Sequence, residues 1–271
     1  MYETIIVERD RGVTWLTLNR PDKRNAMNPR LLSEMIEALG ELEGDPDTQV
    51  LVLTGAGDTF CAGMDLKEFF RELDGKPARQ LAARWQSRTA NYHKLRMFAK
   101  PTIAAVNGWC FGGAFTPLVS CDFAIAAEEA VFGLSEINWG ILPGGLVSRD
   151  LALVMSYRDA LYYLMTGKTF TAQQAKEMRL VNEVVPRARL REAVRALADD
   201  LMKLNPATLW TAKEAFKNCL YMDYEQASDY LQAKIDQLQF RDPERGRAKG
   251  MRQFLDEKRY RPGLEPYDRQ G

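Results

Sequence analysis

The chain is poor in the residues on which most nucleophilic and metal-dependent enzymes rely. It has one histidine, His93, and four cysteines, none of them in a CxxC pair. His93 lies in the charged stretch NYHKLR, where a surface position is favoured over a catalytic one. A Ser/His/Asp triad is therefore not expected. Unpaired cysteines in apolar surroundings predict small buried thiols rather than a zinc site.

Several other features are also missing. Lysine plus arginine and aspartate plus glutamate both number 37, so no net field would draw the chain to nucleic acid or to an anionic membrane. No apolar run approaches the ~20 residues that span a bilayer. The N-terminal MYETIIVERDRG lacks the basic start and apolar run of a signal peptide. We therefore expect a cytoplasmic protein with no nucleic-acid and no membrane partner. A GxGxxG dinucleotide fingerprint is absent.

What the chain does contain is the pattern of an α/β protein. Its 271 residues are 46% hydrophobic, which suffices for one large domain or for a domain with an appended helical piece. Alternation around the turn RDRG predicts a hairpin, and short β-branched runs separated by helical patterns predict a largely parallel sheet. The predicted strands are residues 4–8, Val13–Leu18, residues 50–53, Thr102–Val106 and Phe123–Ala127, with helices at residues 28–40 and 77–98.

The last third, from residue 146, is predicted to be a helical subdomain. Apolar and aromatic residues recur there at helical spacing, among them Leu220, Tyr224, Leu231 and Ile235, a pattern typical of a core or a subunit interface. The predicted helices are residues 158–166, 172–178, 190–203, 207–220, 224–240 and 243–256, with one strand at residues 181–185.

Two glycine-rich loops follow buried strands, at residues 55–65 and 107–113. Ligands of parallel sheets bind at such strand ends, and glycines allow backbone N–H groups to turn toward one point. A pair of such donors can hold the developing enolate oxygen of a thioester, and a helix beginning at Gly113 would add its dipole. The alternative for each loop is a tight turn with no ligand.

Glu136 is the candidate acid and base. It lies among apolar residues in FGLSEINWG, so desolvation should raise its pKa toward neutrality. The alternative is a structural carboxylate paired with an arginine. No second carboxylate follows Gly113, where the residues are AFTP, so the sequence favours a one-carboxylate mechanism. The basic pairs Lys23-Arg24 and Lys258-Arg259 are either phosphate ligands or solvated surface charges.

The motifs resemble those of the crotonase (enoyl-CoA hydratase/isomerase) superfamily over nearly the whole chain. They are NRPDKRNAM, VLVLTGAGDTFCAGMDLKE, KPTIAAVNGWCFGG, CDFAIAAEEAVFGLSEINWG and MTGKTF followed by AKEMRLVNEVVP. The resemblance implies a crotonase-like ββα spiral core with a C-terminal helical subdomain. It places the core in residues 1–200 and a helical trimerisation region in residues 201–271, and it implies a homotrimer or a hexamer made of two trimers.

The resemblance also assigns roles to residues. It makes the amides of Met64 and Gly113 the oxyanion hole and Glu136 the acid/base, and it places Thr116 where fatty enoyl-CoA hydratases have a first glutamate. The remaining residues would bind the substrate and its CoA. They are Lys23, Arg24, Ala26, Ala62, Asp65, Leu66, Phe69, Trp109, Gly112, Trp139, Gly140, Tyr230 and Gln232, of which Tyr230 or Gln232 would bond a phenolic hydroxyl.

Within the superfamily, the runs GWCFGG, GLSEINWGI, YYLMTGKTF and FLDEKRYRPGL look most like the hydroxycinnamoyl-CoA hydratase-lyases. That branch turns feruloyl- or coumaroyl-CoA into an aromatic aldehyde and acetyl-CoA, with the CoA thioester as substrate and no cofactor. Two alternatives stay open, namely a hydratase or isomerase acting on another enoyl-CoA, and a CoA-binding protein without catalytic activity.

Overall fold

The computed structural model describes residues 2–145, 147–259, 263 and 265–270. Residue 146, at which the helical third was predicted to begin, lies outside this range. So do residues 260–262 and 264 of the run FLDEKRYRPGL. The described strands are β1 Ile5–Asp10, β2 Val13–Leu18, β3 Val50–Gly55, β4 Thr59–Cys61, β5 Thr102–Val106, β6 Trp109–Phe111, β7 Phe123–Ala127, β8 Val131–Gly133, β9 Thr169–Thr171 and β10 Glu183–Val185.

The α-helices of the described residues are numbered in chain order. They are α1 Pro29–Gly44, α2 Pro77–Arg88, α3 Phe115–Ser120, α4 Val147–Val154, α5 Tyr157–Thr166, α6 Ala172–Glu177, α7 Leu190–Met202, α8 Pro206–Cys219, α9 Tyr224–Arg241 and α10 Gly246–Met251. Among these described elements, no helix is both long and apolar enough to cross a bilayer.

The main sheet has the order β1-β2-β3-β5-β7-β10 in the described residues. β1 and β2 form the predicted antiparallel hairpin, and the later strands pair in parallel. The runs in β3, β5 and β7 are almost entirely buried, as parallel strands covered on both faces require. The predicted parallel sheet is therefore confirmed. Helix α1 also begins at its predicted cap, because the Asn28 side chain accepts a hydrogen bond from Leu31 N–H.

A second sheet, of order β4-β6-β8-β9, was not predicted. Its strands have three residues each, too few for an alternating pattern to be visible in the sequence. β4 and β6 pair in parallel, with Cys61 opposite Cys110. Each glycine-rich loop therefore contains one strand of this small sheet, and the pairing of β4 with β6 brings the loops together.

Two predicted helices differ in detail from the structure. The helix expected at residues 77–98 is α2 followed by a π-helix, Thr89–Arg96. The helix expected at residues 243–256 begins only at Gly246, because the Asp242 carboxylate accepts hydrogen bonds from the N–H groups of Glu244 and Gly246 and Arg245 is left-handed. His93 is exposed, as predicted. Cys61 and Cys110 are buried, whereas Cys121 and Cys219 are only half-buried.

The chain divides into two compact units. The first comprises residues 1–98 and 102–196 and holds both sheets, and the second comprises residues 99–101 and 197–271 and is helical. In the second unit, Arg269 bonds the Glu244 carboxylate and the Met202 carbonyl, while Gln253 exchanges hydrogen bonds with the main chain of Asp268. Apolar residues at helical spacing, Leu220, Tyr224, Leu231 and Ile235, are exposed. A core role for these four residues is therefore wrong, and an interface role stays a prediction.

Asn107 joins the two glycine-rich loops. Its Nδ2 donates to the carbonyls of Gly55 and Gly57, both at 2.9 Å, and its Oδ1 accepts from Gly55 N–H at 3.2 Å. The backbones approach so closely that a Cβ on Gly108 would lie 1.7 Å from Asp58 O. The loops are thus fixed to each other by one buried amide and by the absence of a side chain.

We expect Asn107→Asp to lower the free energy of unfolding by roughly 2–4 kcal/mol, since each buried polar group left unpaired costs about 1–3 kcal/mol. The substitution keeps the size but replaces the two donors with an oxygen. Urea denaturation would measure the change, with exposed Asn138→Asp as the control, expected to shift by less than about 0.5 kcal/mol. Equal midpoints for the two variants would contradict this role for Asn107.

Candidate active site

Glu136 lies in a short 3-10 helix, Ser135–Trp139, directly after β8, and left-handed Gly140 ends this helix. The side chain is half-buried, but its Oε2 atom is fully buried and has no hydrogen-bond partner among the described residues. Burial raises the pKa of Glu136, and its own backbone N–H opposes that shift. The pairing with an arginine that the sequence left open does not occur within the described chain.

The carboxylate rests against Gly112. A Cβ on this glycine would lie 3.2 Å from Glu136 Cδ, 3.3 Å from Oε1 and 3.4 Å from Oε2. Gly112 also has φ +53°, a left-handed conformation that other residues rarely adopt. The backbone conformation therefore favours glycine at this position, and a Cβ there would also crowd the carboxylate by a few tenths of an ångström.

The two predicted oxyanion amides are neighbours. A Cβ on Gly113 would lie 3.2 Å from Met64 N, and a Cβ on Gly63 would lie 3.0 Å from Gly113 N. Met64 forms an isolated parallel bridge with Met27, in which the N–H groups of Met27 and Asp65 donate. Among the described residues, neither Met64 N–H nor Gly113 N–H has an acceptor. Two unused donors therefore lie side by side, beside the turn that carries Gly112.

Thr116 is close to the same turn, on α3. It is 7% exposed, and a Cβ on Gly145, where φ is +65°, would lie 3.0 Å from its Oγ1. The segment 144–145 thus covers the hydroxyl. Gly112, Gly113 and Glu136 are brought together with Met64, and Thr116 stands on the helix that follows them.

The basic loop meets the second glycine-rich loop through Trp109. Lys23 and Arg24 are exposed, and the Arg24 guanidinium lies 4.7 Å from the centre of the Trp109 ring. Ala62 N–H donates to the Arg24 carbonyl at 2.9 Å, and Ala26 N–H donates to the Lys23 carbonyl at 3.0 Å. The structure therefore groups these predicted CoA-binding residues on one surface, with two cationic side chains free to face a ligand.

The other predicted binding residues differ in accessibility. Asp65 is buried, and its carboxylate accepts from Lys67 N–H, Glu68 N–H and Arg20. Leu66 is exposed, while Phe69 packs against the core and meets Phe70 edge to face. Trp139 is 65% exposed. The Asp65 side chain is therefore occupied within the protein. Its backbone is occupied as well, because Asp65 N–H donates to Met27 O and Asp65 O accepts from Phe69 N–H.

Tyr230 and Gln232 lie on α9 in the second unit. The Tyr230 hydroxyl accepts a hydrogen bond from Asn218 Nδ2 at 2.9 Å, and Gln232 is exposed, with its Nε2 donating to Asp236 at 3.5 Å. A bond from either side chain to a phenol stays a prediction.

Within the described residues, no group of three or more His, Cys, Asp or Glu side chains could hold a metal ion.

Two buried side chains of the NRPDKRNAM motif were missed. Asn25 is fully buried and left-handed, and its Nδ2 donates to the carbonyls of Ala56 and Thr59. Arg20 donates to Ala26 O, Asp65 and Glu68. The spacing of Asp65 and Glu68, one helical turn, indicates that the two carboxylates would need a cation when buried, but it does not identify Arg20 as that cation. Among the cations of this motif, the sequence favoured exposed Lys23 and Arg24 as ligands.

The chain is similar to known proteins over nearly its whole length. A family model described as enoyl-CoA hydratase/isomerase matches residues 8–262. A hydroxycinnamoyl-CoA hydratase-lyase of Pseudomonas fluorescens is 55% identical over 99% of this chain and 98% of its own length. A probable enoyl-CoA hydratase of Mycobacterium bovis is 38% identical over 79% of this chain and 81% of its own.

Solved structures are similar over almost the same span. The enoyl-CoA hydratase of Bacillus anthracis has a TM-score of 0.85 at 31% identity, covering 94% of this chain and 97% of its own. The Pseudomonas relative and the solved Bacillus structure therefore match nearly the whole length of this chain. The protein belongs to the enoyl-CoA hydratase/isomerase family, that is, to the crotonase superfamily.

Proposed function

We propose that the protein is a hydratase-lyase that converts a hydroxycinnamoyl-CoA, such as feruloyl- or coumaroyl-CoA, into an aromatic aldehyde and acetyl-CoA. The observation that carries the proposal is the buried, unpartnered Oε2 of Glu136 against the glycine turn whose next residue offers a free amide. The 55% identity to the hydratase-lyase of Pseudomonas fluorescens over nearly the full length supports the substrate class.

In the first half-reaction, the Glu136 carboxylate takes a proton from water as the water oxygen bonds to Cβ of the aryl-propenoyl thioester. The electron pair of the double bond moves toward the carbonyl, and the enolate oxygen is held by the N–H groups of Met64 and Gly113. Glu136 then gives its proton to Cα. A carboxyl whose pKa is raised toward neutrality by burial can both take and return a proton near pH 7.

In the second half-reaction, Glu136 takes the proton of the β-hydroxyl. The C–O bond becomes the aldehyde carbonyl as the Cα–Cβ bond breaks, and its electron pair forms the enolate of acetyl-CoA on the same two amides. Glu136 returns the proton to that carbon. Water and the thioester supply every atom, so the proposal includes no cofactor. One acid/base serves both halves, because Thr116 offers only a hydroxyl.

The CoA moiety is assigned to the surface formed by the basic loop and residues 62–66. Lys23 and Arg24 would hold phosphates as charged donors, and Ala26, Ala62 and Leu66 would line the adenine. Phe69, Trp109, Trp139 and Gly140 are assigned to the remainder of the substrate, with Tyr230 or Gln232 bonding a phenol. The proposal further includes a cytoplasmic location, with an acyl-CoA as the small-molecule partner.

Incubation with cinnamoyl-, coumaroyl-, feruloyl- and crotonyl-CoA tests the reaction. We expect hydroxylated aryl substrates to be cleaved, because the electron-rich ring eases cleavage. Each cleavage should release one aldehyde and one acetyl-CoA, so the two products should appear in equal amounts. Aldehyde is followed by absorbance and acetyl-CoA by chromatography. Turnover that stops at a β-hydroxyacyl-CoA would contradict the lyase and favour a hydratase.

The variant control for that assay is Glu136→Gln, which keeps the size but cannot take a proton. Its kcat should fall by about 10²- to 10⁴-fold, with CoA binding retained. Exposed Glu128→Gln is the matched control and should keep full activity. Equal rates for the two variants would contradict the role of Glu136, whereas no turnover by the unaltered protein would support the catalytically silent alternative.

The buried carboxylate should also make stability depend on pH. The pKa of Glu136 is raised in the folded state, so the folded protein binds the proton more tightly and loses stability as pH rises from the unfolded pKa through the folded one. Glu136→Gln removes that loss. We expect its advantage in unfolding free energy to grow as pH rises above about 4, the ordinary pKa range of a glutamate, whereas Glu128→Gln shows none. An advantage independent of pH would refute the raised pKa.

We also propose a homotrimer or a hexamer made of two trimers. In the second unit, Tyr224 is 84% exposed and Phe240 is 91% exposed, more apolar surface than an isolated helical face usually leaves in water. Light scattering should give three or six times the 30.8 kDa chain mass. A monomeric mass would contradict the proposal.

A further inference from the structure

The position of the Met64 amide is set by residues outside both sheets. Its segment is held to the loop before α1 by three main-chain bonds: Ala62 N–H to Arg24 O at 2.9 Å, Met27 N–H to Gly63 O at 2.8 Å and Asp65 N–H to Met27 O at 2.8 Å. That loop is itself irregular, with Arg24 and Asn25 both left-handed. Regular structure therefore does not by itself fix this donor.

Arg20 spans the two sides of that junction. Its guanidinium is 10% exposed. One nitrogen donates to Ala26 O at 2.6 Å, on the loop side, and to Asp65 Oδ2 at 3.0 Å, on the side of Met64. The other donates to Glu68 Oε1 at 2.6 Å. A single planar fork thus joins the residue before Met27 to the residue after Met64.

The two carboxylates continue the network in both directions. Asp65 Oδ1 accepts from the N–H groups of Lys67 and Glu68 and so caps the short helix Leu66–Phe70. Glu68 Oε2 accepts from Asn28 Nδ2 at 2.6 Å, and Asn28 caps α1. Burial acts to raise the pKa of Asp65, but hydrogen bonds from Glu68 N–H and Arg20 outweigh it and lower the pKa.

We propose that Arg20 is a positioning residue for the oxyanion hole, holding the Met64 amide at the place where the thioester oxygen develops charge. This role rests on the proposed function, since it requires Met64 N–H to be a donor to the substrate. Arg20 itself is assigned no contact with the substrate, because both terminal nitrogens of its guanidinium are bound to acceptors inside the protein. Lysine cannot replace it, since one ammonium does not reproduce a fork that binds three acceptors.

The test uses two substitutions and one control. Arg20→Lys keeps the charge and loses the fork. Asp65→Asn keeps an oxygen that can cap the helix but turns an amide toward the guanidinium. Arg9→Lys is the control, because Arg9 is about half exposed and pairs with Asp45 by a similar 2.9 Å contact. Urea denaturation reports the folding of each variant, and Asp65→Asn decides the question if Arg20→Lys does not fold.

Two readouts separate positioning from a general structural role. The kcat of both variants should fall by about 10- to 100-fold, as small misplacements of catalytic groups do, while KM changes by less than about threefold. The second readout is the thioester C=O stretch of bound cinnamoyl-CoA, recorded by isotope-edited infrared spectroscopy in a Glu136→Gln background so that no turnover occurs. Two well-placed amides polarise the carbonyl and lower its frequency. Arg20→Lys should reverse much of that lowering, and Arg9→Lys none of it.

The outcomes distinguish this inference from the proposed function. A parent in which the bound carbonyl is lowered, with the lowering retained in full by a folded Arg20→Lys or Asp65→Asn protein, overturns the role of Arg20 alone. A parent that binds cinnamoyl-CoA without any lowering overturns the oxyanion hole itself, and the role of Arg20 with it. A reduced lowering together with a reduced kcat at unchanged KM supports both.

Discussion

The site depends on a contact between two backbones that only glycine permits. The turn at Gly63 and the turn at Gly112 and Gly113 approach so closely that a Cβ on Gly63 would lie 2.7 Å from Phe111 O, and one on Gly113 would lie 2.8 Å from Met64 Cγ. Real Cβ atoms essentially never come that near, so a side chain on Gly63 would push the turns apart and one on Gly113 would displace the Met64 side chain. Both free amides and the seat of the carboxylate follow from this contact.

The same contact accounts for the surroundings of Glu136. Gly112 leaves room for the carboxylate against the main chain, and the surrounding apolar residues exclude water from one oxygen. An unpartnered buried carboxylate lowers stability, and in the proposed mechanism it serves as an acid/base whose pKa is raised. Perturbed groups of this kind are characteristic of functional sites. A large buried core, from α1 through the strands of the main sheet, supplies the stability that offsets this strain.

The sequence predicted the main sheet well because its strands are continuous apolar runs and because Asn28-Pro29 marks a helix start. It also predicted the burial and raised pKa of Glu136, because the apolar neighbours of this residue are visible along the chain. The small sheet was not predictable, since three-residue strands carry no period. The exposure of Leu220 and Tyr224 was equally hidden, because helical spacing cannot distinguish a core from a surface that a second chain would cover.

Arg20 shows a further limit. Its importance lies in contacts to Asp65 and Glu68, more than forty positions away in the chain, and sequence spacing says nothing about a pairing of that range. The loop before α1 therefore appeared to be a basic surface. In the structure, Lys23 and Arg24 of this loop are exposed, whereas Arg20 is bound to Ala26, Asp65 and Glu68 inside the protein. In the proposed function, one short motif thus combines ligand binding with the support of a catalytic donor.

In the proposed mechanism, Glu136 and the amides of Met64 and Gly113 together form the enolate of a thioester, and Glu136 then protonates it. Proton exchange at acetyl-CoA tests it without any aryl substrate. In deuterium oxide, nuclear magnetic resonance should show the protein introducing deuterium into the acetyl methyl group, and Glu136→Gln should not. Absence of exchange with the unaltered protein, or equal exchange with both, would contradict the account.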